Sequence, residues 1–437
     1  MFERQKRLLG LAFPLIFANI TTPLLGLVDT AILGRMDGIH YLAGASVASL
    51  IITQVYWICG FLKMSLTGLS AQAPPDNAQQ KVNVLVQGLV ASTLIASFIL
   101  LVQSWILTGG LWFVGNSNDT ALVTESYFST RIWGAPAALA NMVFVGWLIG
   151  QQMTTSVLVV QVLLNLVNIA ASLVLVYGLG MGVTGVALGT LFAEYAGAVA
   201  SFYLVAKSLK GKDYQTKLPL VSELQVLAKL NSDIFIRNIA LQVTLAFVTL
   251  IGVSFGSQAA AINAVILQFF ALIALGLDGI ANAVESMVGR AKGKHQFDGL
   301  IADVKAGLFW SSLVAIGYAV TFLVFGNDIV RLLTDIPAIH HAYEDYFWIV
   351  VALPLIAHWC FLFDGIYVGL TASAAMRNSM LISSLLGFFP IYWLFADSFE
   401  NMALWFAMLS FLAWRGILLA EHFVRHVRRY PNTQLFG

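Results

Sequence analysis

The chain has 437 residues, of which 59% are hydrophobic and only 10% charged. A water-soluble domain carries roughly 25% charged residues, so a soluble enzyme or a nucleic-acid-binding protein is excluded and a polytopic membrane protein is expected. The net charge is only +1, and the two cysteines, Cys59 and Cys360, lie in apolar stretches and imply no disulfide framework.

The basic N-terminus (Arg4, Lys6, Arg7) leads into an apolar run that continues without a small-residue cleavage site. It therefore reads as an uncleaved first span. A helix needs about 20 apolar residues to cross a bilayer. Segments 8–33, 46–71, 82–108, 124–150, 156–178, 182–207, 232–255, 260–288, 302–326, 342–371, 376–396 and 401–424 qualify as spans 1 to 12. Barrel strands alternate in hydrophobicity, and these segments do not. The fold class expected is an all-α membrane protein.

Sorting Lys and Arg by loop places 18 of 23 on the side of the N-terminus. The opposite side holds Arg35, Arg131 and Arg331, while Lys63 and Arg415 fall within spans. The positive-inside rule then puts both termini in the cytoplasm of a multi-pass protein. The longest cytoplasmic linker is lysine-rich and splits the chain into an N-terminal lobe (1–207), a linker (208–231) and a C-terminal lobe (232–437), with six spans in each lobe. The halves are weakly self-similar at an offset near 219: Asn19-Ile20 matches Asn238-Ile239, Thr30 matches Thr249, Gly150 matches Gly369, and Pro136 matches Pro354 one residue off. Two pseudo-symmetric six-helix lobes of like orientation are the parallel-repeat plan of a transporter.

Polar residues recur at helical spacing in the first half. Asn19, Thr22, Gly26 and Asp29 share a face of span 1, Gln161, Asn165, Asn168 and Ser172 share a face of span 5, and Ala187, Thr190, Glu194 and Ser201 share a face of span 6. Such stripes face one another or water rather than lipid. They serve either as packing seams or as a polar pocket. Asp29 is the one acidic residue of span 1, and an ionisable group within a span is a functional candidate. By the loop assignment it has no basic partner in its half, because Lys63 sits at the other membrane face. Desolvation disfavours the charged form of such a carboxylate, so it can exchange a proton for a cationic ligand. Pro14 and Pro23 interrupt the hydrogen bonding of span 1 and mark it as a kinked or moving helix.

The second half carries another acidic set, Asp278, Asn282 and Glu285 on span 8 and Asp364 on span 10, toward the cytoplasmic ends and followed by Arg290, Lys292 and Lys294. It reads either as an ion-pair network closing an inner gate or as a hard-oxygen site for Na⁺. His358 reads as a hydrogen-bonded core residue. No Ser/His/Asp set, His-Glu-x-x-His or CxxC pattern points to an enzyme or to a metal cofactor.

Four segments carry a family resemblance. Pro14–Gly34, Lys63–Ala73, Leu277–Gly289 and Phe363–Met380 resemble, in order, motifs of the multidrug and toxic compound extrusion (MATE) family, in its DinF-like bacterial branch. The resemblance implies twelve helices in two lobes that open alternately to either side, and export of hydrophobic or amphiphilic organic cations against inward H⁺ or Na⁺. By position it makes Asp29 the protonation site, Pro14 the bending point of helix 1, and Asn168 and Thr190 polar partners of the aspartate. It also matches Asp278, Glu285 and Asp364 to the branch's acidic motifs. The branch usually carries a second aspartate where this chain has Ser172, so Asp29 is expected to work among neutral partners. The resulting expectation is an H⁺-coupled antiporter acting as a monomer in a bacterial cytoplasmic membrane, with no cofactor. The alternatives are Na⁺ coupling through Glu285 and Asp364, and a flippase for lipid-linked precursors.

Overall fold

A computed structural model describes residues 2–36, 38–114 and 118–429. Among the described residues, twelve helices are long and apolar enough to cross a membrane. In chain order they are α1 (Phe2–Leu33), α2 (Ile39–Gln72), α3 (Ala78–Leu101), α4 (Asp119–Gly150), α5 (Thr154–Gly178), α6 (Gly182–Leu209), α7 (Val221–Ser254), α8 (Ser257–Gly293), α9 (Phe297–Leu333), α10 (Pro337–Gly369), α11 (Ser373–Phe399) and α12 (Asn401–His426). Each predicted span falls on one of them. The helices outrun the apolar windows at many ends, because Ala, Glu, Lys and Gln extend a helix well beyond the hydrocarbon.

Several helices are interrupted where the sequence weakens the backbone ladder. α2 breaks at Cys59–Gly60, between Ile39–Ile58 and Phe61–Gln72. α4 passes through a 3₁₀ turn, Ile132–Gly134, just before Pro136. α5 ends in a π turn, Val174–Gly178, and α11 carries a π turn, Ser383–Phe388, ahead of Pro390. The segment after α3 is not a continuation of the third span: the chain breaks at Val102 and forms a separate short helix, Gln103–Val114.

The chain resolves into two compact units, Phe17–Ala228 and Met1–Ile16 with Lys229–Gly437. The division falls inside α1. The N-terminal unit packs α2 against α4 at glycines: a Cβ on Gly146 would lie 2.4 Å from the Lys63 carbonyl, and one on Gly150 would lie 2.5 Å from that of Thr67. Ser70 Oγ donates to the Trp147 carbonyl at 3.0 Å across the same seam. The C-terminal unit repeats this contact between α8 and α10. There Gly365 would meet the Ala281 carbonyl at 2.5 Å, and Gly369 that of Glu285 at 2.4 Å. Gly146 and Gly150 recur as Gly365 and Gly369 at the offset of 219, so the weak sequence repeat reflects one helix-pairing geometry used twice.

The core of the C-terminal unit is aromatic, built on Phe269, Phe322, Tyr343, Phe388, Trp405 and Phe411. At its centre Asn263 and Asn401 donate to each other at 2.8 and 2.9 Å, and Trp405 Nε1 donates to Asn263 Oδ1 at 2.7 Å. This fully bonded polar knot joins α8 to α12, as buried amides require in an apolar core. Large side chains such as Trp105, Phe202 and Trp348 are exposed on the outside, as a lipid-facing surface demands.

The glycine seams give a test. Gly369→Val forces a side chain into the Glu285 backbone and should cost about 1–3 kcal/mol by overpacking. It should lower the thermal midpoint in detergent, while Gly317→Ala, where nothing lies within 4 Å, leaves it unchanged.

Candidate functional site

α1, α5 and α6 bring the first polar set together within the N-terminal unit. Asn168 on α5 donates through Nδ2 to Thr190 Oγ1 on α6 at 3.0 Å. Thr190 Oγ1 in turn lies 3.0 Å from Asp29 Oδ2 on α1, to which it donates. Asn168 and Thr190 are fully buried, and Asp29 is partly exposed on a face that also exposes Thr22 and Gly26. The second carboxylate oxygen, Oδ1, is buried and accepts no hydrogen bond. Thr190 has another acceptor in range, the Val186 carbonyl one turn back at 3.3 Å.

Two predicted partners stand outside this chain of bonds. Asn165 Nδ2 donates to the Thr21 carbonyl at 2.8 Å and so ties α5 to α1 two residues before Pro23. Ser172 is buried against Gly189, whose Cβ would lie 2.2 Å from its hydroxyl, and that hydroxyl makes no hydrogen bond. Pro14 and Pro23 lie within an α1 that runs helical from Phe2 to Leu33.

The structure corrects the sequence reading of Arg131. Assigned to an outer loop, it is instead buried in α4, 7% exposed, and pairs with Glu194 on α6 at 3.3 Å. Arg131 is also close enough to act electrostatically on Asp29. Asp29 therefore does have a basic neighbour in its half. Glu194 lies one turn beyond Thr190, about 5.4 Å along the helix, so one face of α6 presents both the Asp29 partner and a second carboxylate. Two signals in the sequence pointed here. Arg131 falls inside the predicted fourth span, and Thr190 and Glu194 share the i, i+4 spacing of a single face.

In the C-terminal unit Asp364 is held by two guanidinium groups, Arg237 of α7 and Arg415 of α12, each 2.5 Å from Oδ2. Arg237, inside the predicted seventh span, is 6% exposed within α7. Lys292, one of the basic residues that follow Glu285, donates to the Leu370 carbonyl at 2.7 Å. Asp278 is near enough to act on Arg415, and Glu285 is buried on the face of α8 that packs against Gly369. His358 is a core residue beside Ser311, with Nδ1 3.4 Å from its hydroxyl. A second ionic link, Asp233 with Arg377, fastens α7 to α11.

The two arginines bond Asp364 into the packing of α7, α10 and α12. Asp364→Leu takes from two buried guanidinium groups the carboxylate they both bond and should cost about 3–5 kcal/mol. It should appear as a large fall in thermal midpoint, whereas Asp29→Asn, isosteric and partly exposed, should stay close to wild type.

The MatE family pattern matches residues 14–174 and 234–393, covering both repeats. DNA damage-inducible protein F of Escherichia coli is 36% identical over 97% of this chain and 93% of its own length. Multidrug resistance protein NorM of Aliivibrio fischeri is 27% identical over 75% of this chain and 73% of its own. Crystal structures of a MATE protein in a bent and in a straight conformation superpose with TM-scores of 0.88 and 0.87 over 98% of this chain and 97% of theirs, at 15% identity. With its twelve helices and these relatives, the chain is a multi-pass membrane transporter, not an enzyme, and it belongs to the MatE family of multidrug and toxic compound extrusion proteins.

Proposed function

We propose that the chain exports hydrophobic organic cations in exchange for protons, as a monomer in a bacterial cytoplasmic membrane with both termini in the cytoplasm. The observation that carries this reading is the hydrogen-bond chain ending on Asp29. Its two donors are neutral, so they orient the carboxylate without cancelling its charge, and Oδ1 stays available. The ionised group can then serve as counter-ion to a cationic cargo. When Asp29 takes a proton it becomes a donor. Thr190 can accept that bond on a free lone pair and turn its own hydrogen to the Val186 carbonyl. Thr190 is thus satisfied in both charge states of Asp29, as a site alternating between proton and cation requires. Because proton and cargo compete for one carboxylate, each lowers the affinity for the other, and that reciprocity is the coupling.

Bending of α1 near Pro14 is the proposed movement. Pro14 offers no N–H to the Gly10 carbonyl, which loosens the helix at that turn. The boundary between the two compact units falls just beyond it, between Ile16 and Phe17.

Two other readings fit less well. Na⁺ coupling through the C-terminal carboxylates needs free oxygens, yet Asp364 Oδ2 is taken by Arg237 and Arg415. A flippase for lipid pyrophosphates needs a free cationic site, yet Arg131 pairs with Glu194, and Arg237 and Arg415 both bond Asp364. The drug-resistance name of the Aliivibrio relative favours drug-like cargo.

In proteoliposomes, acidifying the side opposite the termini should drive ethidium export, and collapsing the pH difference should stop it. A Na⁺ gradient alone should drive none. Asp29→Asn should cut gradient-driven export by at least about a hundredfold, as loss of a transported charge site does. Full export by Asp29→Asn, or Na⁺-driven export, overturns the reading. Pro14→Ala should keep ethidium binding while slowing turnover.

A further inference from the structure

The Arg131–Glu194 pair is not needed for Asp29 to bind a proton, and it has features that a purely structural ion pair lacks. Both side chains are 9% exposed, yet Glu194 Oε2 and Arg131 Nε and Nη1 make no hydrogen bond. A structural pair in a span is expected to use those atoms, since desolvating two ions is repaid only when their remaining donors and acceptors are filled. The turn of α4 is also shaped to admit the carboxylate: a Cβ on Gly134 would lie 1.7 Å from Glu194 Oε2.

The repeat supplies an independent argument. At the offset of 219, Asp29 and Glu194 fall on Val248 and Ala413 of the second half. Arg131 falls on Ile349 or Val350, depending on which side of the proline offset it is counted. Val248 and Val350 are fully buried. The fold therefore builds the same helix positions from aliphatic side chains and does not itself call for the three charges.

Of the other titratable groups, Tyr56 of α2 and Tyr127 of α4 act on this cluster and Cys59 and Tyr195 act on Tyr56, all uncharged in their protonated forms. The charge of the site is then set by Asp29, Arg131 and Glu194 alone. With all three ionised it is a single negative charge, and with Asp29 protonated it is zero.

We infer that Arg131 is a specificity-determining residue that sets this charge, so that a site with two carboxylates accepts amphiphilic cations of single charge and rejects dications. The inference rests on the cation-exporter reading above. Arg131 holds Glu194 in a neutral pair and leaves Asp29 as the one uncompensated anion. Without Arg131 the site carries two negative charges and matches a dication.

Ethidium and propidium share one ring system but carry one and two positive charges, so their ratio of affinities reads the charge of the site. Full-length protein in nanodiscs should bind ethidium more tightly than propidium. Arg131→Met should shift the ratio toward propidium by about tenfold or more, and Glu194→Gln should weaken ethidium by a similar factor. The double variant, Arg131→Met with Glu194→Gln, returns the site to one negative charge and should restore the wild-type ratio, as should Arg131→Lys. If Arg131→Met alone does not fold, the charge-balanced double variant and Arg131→Lys decide. An unmoved ratio in Arg131→Met, a double variant with the ratio of the Arg131→Met single, or a shifted ratio in Arg131→Lys overturns the inference and leaves the exporter reading standing. Failure of the wild type to bind either dye overturns both.

Discussion

A charge inside a membrane protein must be compensated or used, because hydrocarbon offers it no solvation. That constraint organises both units of this chain. In the C-terminal unit it is met by compensation: Asp364 is held between Arg237 and Arg415, and Asp233 is paired with Arg377. In the N-terminal unit it is met only in part. Asp29 receives a hydrogen bond from Thr190, backed by Asn168, and keeps one oxygen unbonded. Arg131 balances Glu194 at 3.3 Å and stands near Asp29 without cancelling both acids. The two units share a helix-pairing plan, visible in Gly146 and Gly150 and in Gly365 and Gly369, but they place their charges at different positions on it.

That difference separates scaffold from function. Where the first half has Asp29, the second has buried Val248. Where the second half has Asp364 and Arg415, the first has Val145 and Ala196 at the same offset. The repeated helix pairing explains the shared glycines, and neither charge set is demanded by it. The set around Asp364 reads as a fastening between α7, α10 and α12, and the set around Asp29, whose buried Oδ1 accepts no hydrogen bond, as the candidate working site.

Much of this was legible in the chain itself. Twelve spans followed from apolar length, and the polar faces of spans 1, 5 and 6 followed from spacings of three and four. The aspartate, threonine and asparagine they predicted do form one hydrogen-bonded chain. The positions of the basic residues were less legible. Arg131 was sorted to an outer loop, because the sequence cannot tell a loop arginine from one turned inward to a carboxylate 63 residues away, Glu194. Only packing reveals the partner. The break of α2 at Cys59–Gly60 and the short helix after Val102 were hidden for a related reason: apolar runs report lipid exposure, not backbone continuity.

The central claim is that one carboxylate, Asp29, binds either a proton or the cargo cation. It is tested most directly by counting protons released when purified protein, in weak buffer near neutral pH, is titrated with tetraphenylphosphonium. The account predicts release that rises to about one proton per cation bound as the pH is lowered, by reciprocity of the two ligands, and no release from Asp29→Asn at any pH. Cation binding with no proton released across the pH range in the wild type, or the same release from Asp29→Asn, would contradict it.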